Sequence, residues 1–253
     1  MRLFVCIPTY NERENIQAIL QAILSVVPTA SIVVADDNSP DGTAELAACF
    51  SNQVTVLLRK GNRGFAAAYK DAFVYAIKNH ADVILQMDAD FSHDPNYIPE
   101  MLKALHECDF VVGSRYAAGG KVTNWPFQRR LLSGWANFYT SFFLRSTIRD
   151  MTSGFCLWRR DALEKIPFAL LKSEGYCFLI ELKHQALRRG LKAVEVPINF
   201  IDRTKAKSKM SFSRCVEAAV MVPILAFSQR SQEEQQPELE LDGKTEVLTY
   251  KCG

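Results

Sequence analysis

The chain lacks several features that would each fix a function class. No stretch reaches the ~18–20 consecutive apolar residues that a membrane-spanning helix requires. The longest approach, Val216–Phe227, is shorter and is interrupted by Glu217 and Pro223. No leader-like segment precedes the first apolar strand, so contact with a membrane is expected to be peripheral. No C-x-x-C occurs among the seven cysteines at 6, 49, 108, 156, 177, 215 and 252. An odd, unpatterned set reads as reduced thiols and suits a cytosolic face. No G-x-G-x-x-G follows the first strand, which argues against a dinucleotide-dependent dehydrogenase. No long basic stripe or internal repeat appears, so nucleic acid is not expected as a partner.

What is present is an ordinary globular composition, 48% apolar and 23% charged over 253 residues. The net charge of +2 conceals an asymmetry. Residues 229–253 carry six acids against three bases, which leaves residues 1–228 at +5. A catalytic body over 1–228 with a disordered acidic tail over 229–253 is the expected organisation. A mildly basic body suits anionic ligands.

Short apolar runs alternate with segments of helical spacing. Strands are expected at 2–7, 31–35, 54–58, 83–87 and 110–113, and helices at 14–26, 41–50, 64–79 and 97–106. This alternation predicts an α/β fold, a mostly parallel central sheet flanked by helices. Beyond Gly113 the pattern loosens into a loop over 116–127, a long amphipathic helix over 129–145, a strand over 155–158, a helix over 177–189, a strand over 193–200 and amphipathic helix over 210–227. Ligands of such sheets bind beyond the carboxyl ends of the strands. Three polar motifs fall there: Pro8–Glu12, Asp36–Asp41 and Asp88–Asp94.

Asp88 and Asp90 end an apolar strand with spacing i, i+2, so both carboxylates can share a face. Oxygen ligands suit Mg²⁺ or Mn²⁺, and Mg²⁺ commonly completes its shell with water and substrate phosphates. The pair therefore points to a nucleotide diphosphate, against the plainer reading of a solvated strand end. Tyr10 and Glu12 offer a stacking face and an acceptor for a base; an acidic helix start explains them equally well. Asp36 and Asp37 can accept from ribose hydroxyls or base N–H groups, or can simply end a strand before a helix cap at Ser39 or Asp41.

Taken together, Ile7–Asn15, Asp36–Thr43, Gly64 and Met87–Pro95 resemble the inverting glycosyltransferases of family 2, with the GT-A (Rossmann-like) fold. Gly113-Ser114-Arg115-Tyr116, Gly119-Gly120, Trp125-Pro126, Arg129, Ser133, Thr152–Phe155, Glu195–Ile198, Arg203 and Ser208-Lys209 narrow the resemblance to dolichyl- or polyprenyl-phosphate mannose synthases. It covers about residues 3–225 and excludes the acidic tail.

The resemblance implies inverting transfer of mannose from GDP-mannose to dolichyl (polyprenyl) phosphate, in service of glycosylation. It implies that Pro8, Tyr10, Glu12 and Asp37 hold the guanosine. Asp88 and Asp90 would ligate Mg²⁺ or Mn²⁺ on the diphosphate. Arg115, Arg129 and Ser133 would hold the lipid phosphate, and Arg203 and Lys209 belong to a loop that closes over the donor. That loop departs from the pattern, with Ala206-Lys207 where Gly-Glu is common. Ser92 stands where some relatives place a Gln ligand. Asp90 and Arg115 are the leading catalytic candidates. Asp150 is a third, to orient the sugar or acceptor, with a plain turn acid as the alternative.

The 129–145 helix carries Trp135, Phe138, Tyr139, Phe142 and Phe143 with arginines at both ends. That composition fits an interfacial helix or a polyprenyl groove, and also a helix packed on the core. The implied location is peripheral, on the cytosolic face of a membrane (endoplasmic reticulum in a eukaryote, plasma membrane in a prokaryote), with a small membrane-anchoring subunit as a further partner. Two alternatives stay open: a polyprenyl-phosphate glucosyltransferase using UDP-glucose, and a catalytically weak subunit that only binds nucleotide sugar.

Overall fold

The computed structural model describes residues 1–61, 63–201, 221–226, 241 and 243–248. In chain order the elements are β1 (Leu3–Thr9), α1 (Ile16–Val26), β2 (Ser31–Asp36), α2 (Thr43–Ala48), β3 (Val54–Arg59), α3 (Phe65–Lys78), β4 (Val83–Gln86), α4 (Ile98–Ala104), β5 (Phe110–Ser114), β6 (Lys121–Thr123), α5 (Phe127–Leu144), β7 (Cys156–Arg159), α6 (Arg160–Glu164), α7 (Gly175–Arg188), β8 (Ala193–Pro197), β9 (Asn199–Ile201) and β10 (Thr245–Leu248). Eight strands form one sheet in the order β10-β3-β2-β1-β4-β7-β5-β8, and β6 pairs with β9 in a second sheet.

Strand periodicity divides the core into two layers. Side chains alternate across a pleated strand, so Leu3, Val5 and Ile7 of β1 pack on one face with Ile16, Ile19, Leu20 and Ile23 of α1. Phe4 and Cys6 enter the other face, with Tyr69 and Phe73 of α3 and Phe178 and Leu182 of α7. Helices on both faces explain why the inner strands read as continuous apolar runs. The order β3-β2-β1-β4 is parallel throughout. It aligns the ends of β1, β2 and β4 on one edge.

The structure departs from the sequence reading in several places. β7 runs antiparallel between β4 and β5. A strand buried on both faces carries no sign of its direction, because its apolar run reads alike either way. The expected loop at 116–127 contains β6, and the expected strand at 193–200 divides into β8 and β9. β6 pairs in register from Lys121 with Asn199 to Thr123 with Ile201, a match set by tertiary proximity. α6 was not expected. Most consequential is β10: within the acidic segment expected to lack order, residues 245–248 add an antiparallel strand to β3. Four residues with one covered face make too short a pattern to stand out among polar neighbours. Residues 221–226 are helical; the remainder of the expected 210–227 helix lies outside the described residues.

Trp158 is fully buried and stacks on Phe110, with ring centroids 4.3 Å apart and planes at 11°. The pair joins β7 to β5 at the heart of one layer. Trp158→Ala should lower unfolding stability by about 3–5 kcal/mol, measured by urea denaturation at an unchanged m-value. A loss under 1 kcal/mol would contradict this account of the layer.

Candidate active site

The site starts with the loops that follow β1 and β2, which are stitched together by side chain to backbone bonds. Asn11 N donates to Ser39 Oγ at 3.0 Å, Glu12 N to Thr43 Oγ1 at 3.0 Å, and Arg13 N to Asp41 Oδ2 at 3.1 Å. Asp36 is fully buried. Its carboxylate accepts from Thr9 Oγ1, Ser39 N and Ser39 Oγ, each at 2.7 Å. Three donors satisfy a buried carboxylate, so Asp36 ties the two loops together from within. Asp41 accepts from Thr43 N at 3.0 Å and opens the turn into α2. Its carboxyl lies below the usual range: slight burial opposes this, while bonds from Thr43 and Arg13 outweigh it.

Asp37 differs from its neighbour. It accepts from Arg59 and, at 2.9 Å, from Gly64 N at the start of α3. Arg59 also donates from Nε to Asp71 Oδ2 at 2.7 Å. Burial pushes the Asp37 carboxyl up, against the opposing pull of Arg59. Pro8 is half-buried at the end of β1. Tyr10, half-buried on the same edge, carries the Arg63 guanidinium 4.0 Å from its ring centroid. Glu12 accepts from Asn15 Nδ2 at 2.9 Å. Arg59 and Arg63 were missed from sequence; the second is signalled only by a lone cation ahead of a helix.

β4 ends at Gln86, so Asp88 and Asp90 occupy the bend beyond the strand and not its last two positions. The bend is held from several sides. Asp88 N donates to His93 Nδ1 at 3.0 Å, Tyr69 OH donates to Asp88 Oδ1 at 3.2 Å, and Ser92 N donates to Asp90 Oδ1 at 2.9 Å. Phe91 between them adopts φ 60°, a conformation that a bulky side chain takes only where its surroundings enforce it. His93 lies flat on Phe155, with centroids 5.1 Å apart. Burial holds the His93 imidazole below its usual value, which agrees with Nδ1 acting as an acceptor. His93 therefore shapes the bend through the backbone of Asp88.

Among the described residues, no cluster of three or more His, Cys, Asp or Glu is arranged to hold a metal ion. Two carboxylates in one short bend, with hard oxygen donors only, fit an ion that takes its other ligands from water and phosphate. Mg²⁺ or Mn²⁺ fits that donor set.

A second group forms beyond β5. Arg115 grips Asp150 in a fork, Nε to Oδ2 at 2.8 Å and NH2 to Oδ1 at 2.7 Å, and its backbone N also donates to Oδ2 at 3.0 Å. NH2 reaches Thr152 Oγ1 at 2.6 Å as well. Asp150 is fully buried. Burial opposes its charge, yet Arg115 and then Lys183 hold its carboxyl below the usual range. Lys183 lies beneath, donating to the carbonyls of Met151, Ser153 and Leu179. Ser133 is buried and accepts from Tyr116 OH at 2.8 Å. The Arg129 guanidinium stacks 4.2 Å from the Trp125 ring centre. Beside this group opens a cleft of about 620 Å³, lined in part by Arg115, Lys121, Arg130, Phe127 and Leu131. Its lining residues include three cations and no acid.

α5 is turned inside out. Its buried positions are Ser133, Asn137, Thr140 and Leu144. Phe127, Phe138 and Phe142 stand 77%, 70% and 69% exposed, with Leu131, Leu132 and Trp135 exposed beside them. Tyr139 and Phe143 pack partly on the core. The polar inner face is used: Asn137 donates to Thr152 Oγ1 at 3.2 Å and accepts from Thr152 N at 3.3 Å. Arg203 and Lys209 lie outside the described residues.

Comparison with known proteins places this geometry. The description of glycosyl transferase family 2 matches residues 4–167. The polyprenol monophosphomannose synthase of Mycolicibacterium smegmatis is 42% identical over 226 residues, covering 87% of this chain and 85% of that protein. The undecaprenyl-phosphate mannosyltransferase of Micrococcus luteus is 38% identical over 225 residues, covering 88% and 93%. Crystal structures of glucosyl-3-phosphoglycerate synthase from Mycobacterium tuberculosis share the fold at 18% identity. One, in complex with Mn²⁺, uridine diphosphate and phosphoglyceric acid, superposes with a TM-score of 0.68 over 91% of this chain and 80% of its own. The sheet and its flanking helices are thus the GT-A-like arrangement expected from sequence.

The Arg115–Asp150 fork has a measurable consequence. Removing one partner of a buried pair leaves the other uncompensated, so Asp150→Asn should cost about 3–5 kcal/mol. Because the folded carboxyl is depressed, the wild-type advantage is fully present above the ordinary value of 3.8. It disappears as pH falls through the lowered folded value. Urea denaturation of both proteins at neutral pH and in acid checks the sign; a difference that grows in acid would refute it.

Proposed function

The chain belongs to glycosyl transferase family 2, and from that premise we propose that it transfers mannose from GDP-mannose to a polyprenyl phosphate of the dolichyl type, with inversion at the sugar. The observation that carries the proposal is a cationic cleft opening beside a helix whose aromatic face is exposed. An acceptor with an anionic head and a long apolar tail matches both parts. Two relatives that align over most of their length are a polyprenol monophosphomannose synthase and an undecaprenyl-phosphate mannosyltransferase, which supports mannose as the sugar and a polyprenyl phosphate as the acceptor.

In this reading Tyr10, Glu12, Pro8 and Asp37 receive the guanosine, while Asp36 braces the loops that carry them. Asp88 and Asp90 would hold a divalent cation, which would offset the charge on the departing diphosphate. An acceptor phosphate is already anionic at neutral pH, so no strong base is required. Its oxygen forms a bond to the sugar C1 as the bond from C1 to the diphosphate oxygen breaks, and GDP leaves with the electron pair. The chief obstacle is repulsion between two anions, and guanidinium groups relieve it by directed hydrogen bonds. Arg115 and Arg129 serve this end, with Ser133 beside them. Asp150 acts as a positioning residue for Arg115, since its oxygens point at that guanidinium and it is shut away from the cleft. Arg203 and Lys209, outside the described residues, are proposed from the family resemblance alone to serve the donor.

No helix among the described residues is long and apolar enough to cross a membrane. The exposed face of α5 instead suits a helix lying in the interfacial plane, apolar side down, with Lys121 and Arg130 near the headgroups. The five cysteines that form no disulfide among the described residues suit the cytosolic side.

Purified protein supplied with labelled GDP-mannose, Mg²⁺ and polyprenyl phosphate should yield labelled lipid, and Asp90→Ala should lower the rate by at least ~100-fold. Binding of nucleotide with no labelled lipid would leave only a binding subunit, and UDP-glucose outcompeting GDP-mannose would reassign the donor. For the helix, Phe138→Glu with Phe142→Glu should weaken sedimentation with anionic vesicles by ~10-fold or more, from the apolar burial lost. Unchanged sedimentation would remove α5 from the membrane contact.

A further inference from the structure

We propose that the C-terminal strand β10 is a working part of the donor-nucleotide pocket, with Thr245 as a positioning residue that acts on Asp37 through Asp71 and Arg59. The inference rests on the reading that Asp37 faces the donor nucleotide. It makes residues 245–248 part of the catalytic unit and not an appended tail.

The chain of contacts is continuous. β10 pairs antiparallel with β3, and Thr245 stands opposite Arg59 in the register. Thr245 Oγ1 donates to Asp71 Oδ2 at 3.0 Å. The same oxygen accepts from Arg59 Nε at 2.7 Å, and Arg59 NH1 bonds Asp37 Oδ1. Arg59, Asp37 and Asp71 are all buried. Two carboxylates thus divide one guanidinium between them. The position of Arg59 depends on how well Asp71 is satisfied elsewhere, and the Thr245 hydroxyl supplies part of that satisfaction. Gly64 N plays the matching part at Asp37, at 2.9 Å.

Docking of β10 also covers the flank of Arg59. Without it, β3 would be the edge of the sheet, and an edge strand presents its unpaired backbone groups to water. An outer ion pair holds the strand in place: Lys60 Nζ lies 2.8 Å from Glu246 Oε2, and Lys60 N donates to Lys244 O at 3.2 Å. That backbone bond fixes the alternation of the ladder. Position 246, two residues along, therefore directs its N–H toward β3. The donor pocket is thereby made sensitive to whether the last strand is docked, although β10 itself contributes no group to the nucleotide.

Two variants of the full-length chain test this. Thr245→Val keeps the branched shape and removes the hydroxyl. Glu246→Pro removes a ladder donor and the ion pair without touching Asp71. GDP binding in the presence of Mg²⁺ is measured by titration calorimetry, alongside KM for donor and for polyprenyl phosphate. Both variants should weaken GDP binding and raise the donor KM by about three- to tenfold, as the loss of one partly buried hydrogen bond to a carboxylate implies. The acceptor KM should stay unchanged, and Thr245→Ser should restore native binding. Native GDP affinity in folded Thr245→Val overturns the inference. So does a rise of both KM values in parallel, or a failure of Thr245→Ser to rescue. A native chain that binds no GDP would instead fell the assignment of the pocket, and the inference with it.

Discussion

Carboxylates buried at the carboxyl edge of the sheet are the constraint around which the rest of this structure is arranged. A buried charge persists only where hydrogen-bond donors or opposite charges replace the lost water. Each acid near the edge is answered differently. Asp36 has backbone and hydroxyl donors, Asp37 and Asp71 share Arg59, and Asp150 is gripped by Arg115. Several of these answers come from distant parts of the chain: Thr9 for Asp36, Arg59 for Asp37 and Arg115 for Asp150. The edge is therefore assembled only when the fold closes, with each of these carboxylates held by two or more bonds. Fixed positions matter for a glycosyltransferase, because positioning and pre-set electrostatics contribute heavily to group transfer.

The same economy explains α5. A helix that buries Ser133, Asn137 and Thr140 and exposes phenylalanine inverts the usual pattern. The polar inner face is repaid by bonds to Thr152, whose hydroxyl also receives Arg115. One element thus braces the Arg115–Asp150 fork with its inside and offers an apolar platform with its outside. The cleft between these functions is lined by cations that are drawn from β5, β6 and α5 or the turns beside them.

Much of this was legible in sequence, and the limits have physical causes. The five-strand alternation up to Gly113 is visible because buried strands and amphipathic helices have distinct periods. The acids at the strand ends stand out because they terminate apolar runs. Their differing duties do not: Asp36 and Asp37 are adjacent, yet one braces loops and the other meets Arg59, a distinction made by residues far along the chain. The aromatic face of the long helix was recognisable, but its orientation was not, since an aromatic stripe looks alike whether it faces a core or a bilayer. β10 escaped notice for a third reason. A four-residue edge strand carries too little pattern, and its pairing with β3 is decided by an edge that exists only after folding.

The placement of Asp88 and Asp90 shows how such a site can be firm without being a preformed metal cage. Both lie in the bend beyond β4, where the backbone of Asp88 is held by His93 and the carboxylates by Tyr69 and the Ser92 amide. Tyr69 belongs to α3, whose first turn is tied to Asp37 through Gly64. The acids assigned to the base and to the diphosphate are therefore linked through one helix. In the proposed reading, an ion held by these two carboxylates would complete its shell with water and phosphate oxygens. The metal affinity of the bend would then rise when the nucleotide sugar is present, and by linkage the nucleotide would bind more tightly with the metal.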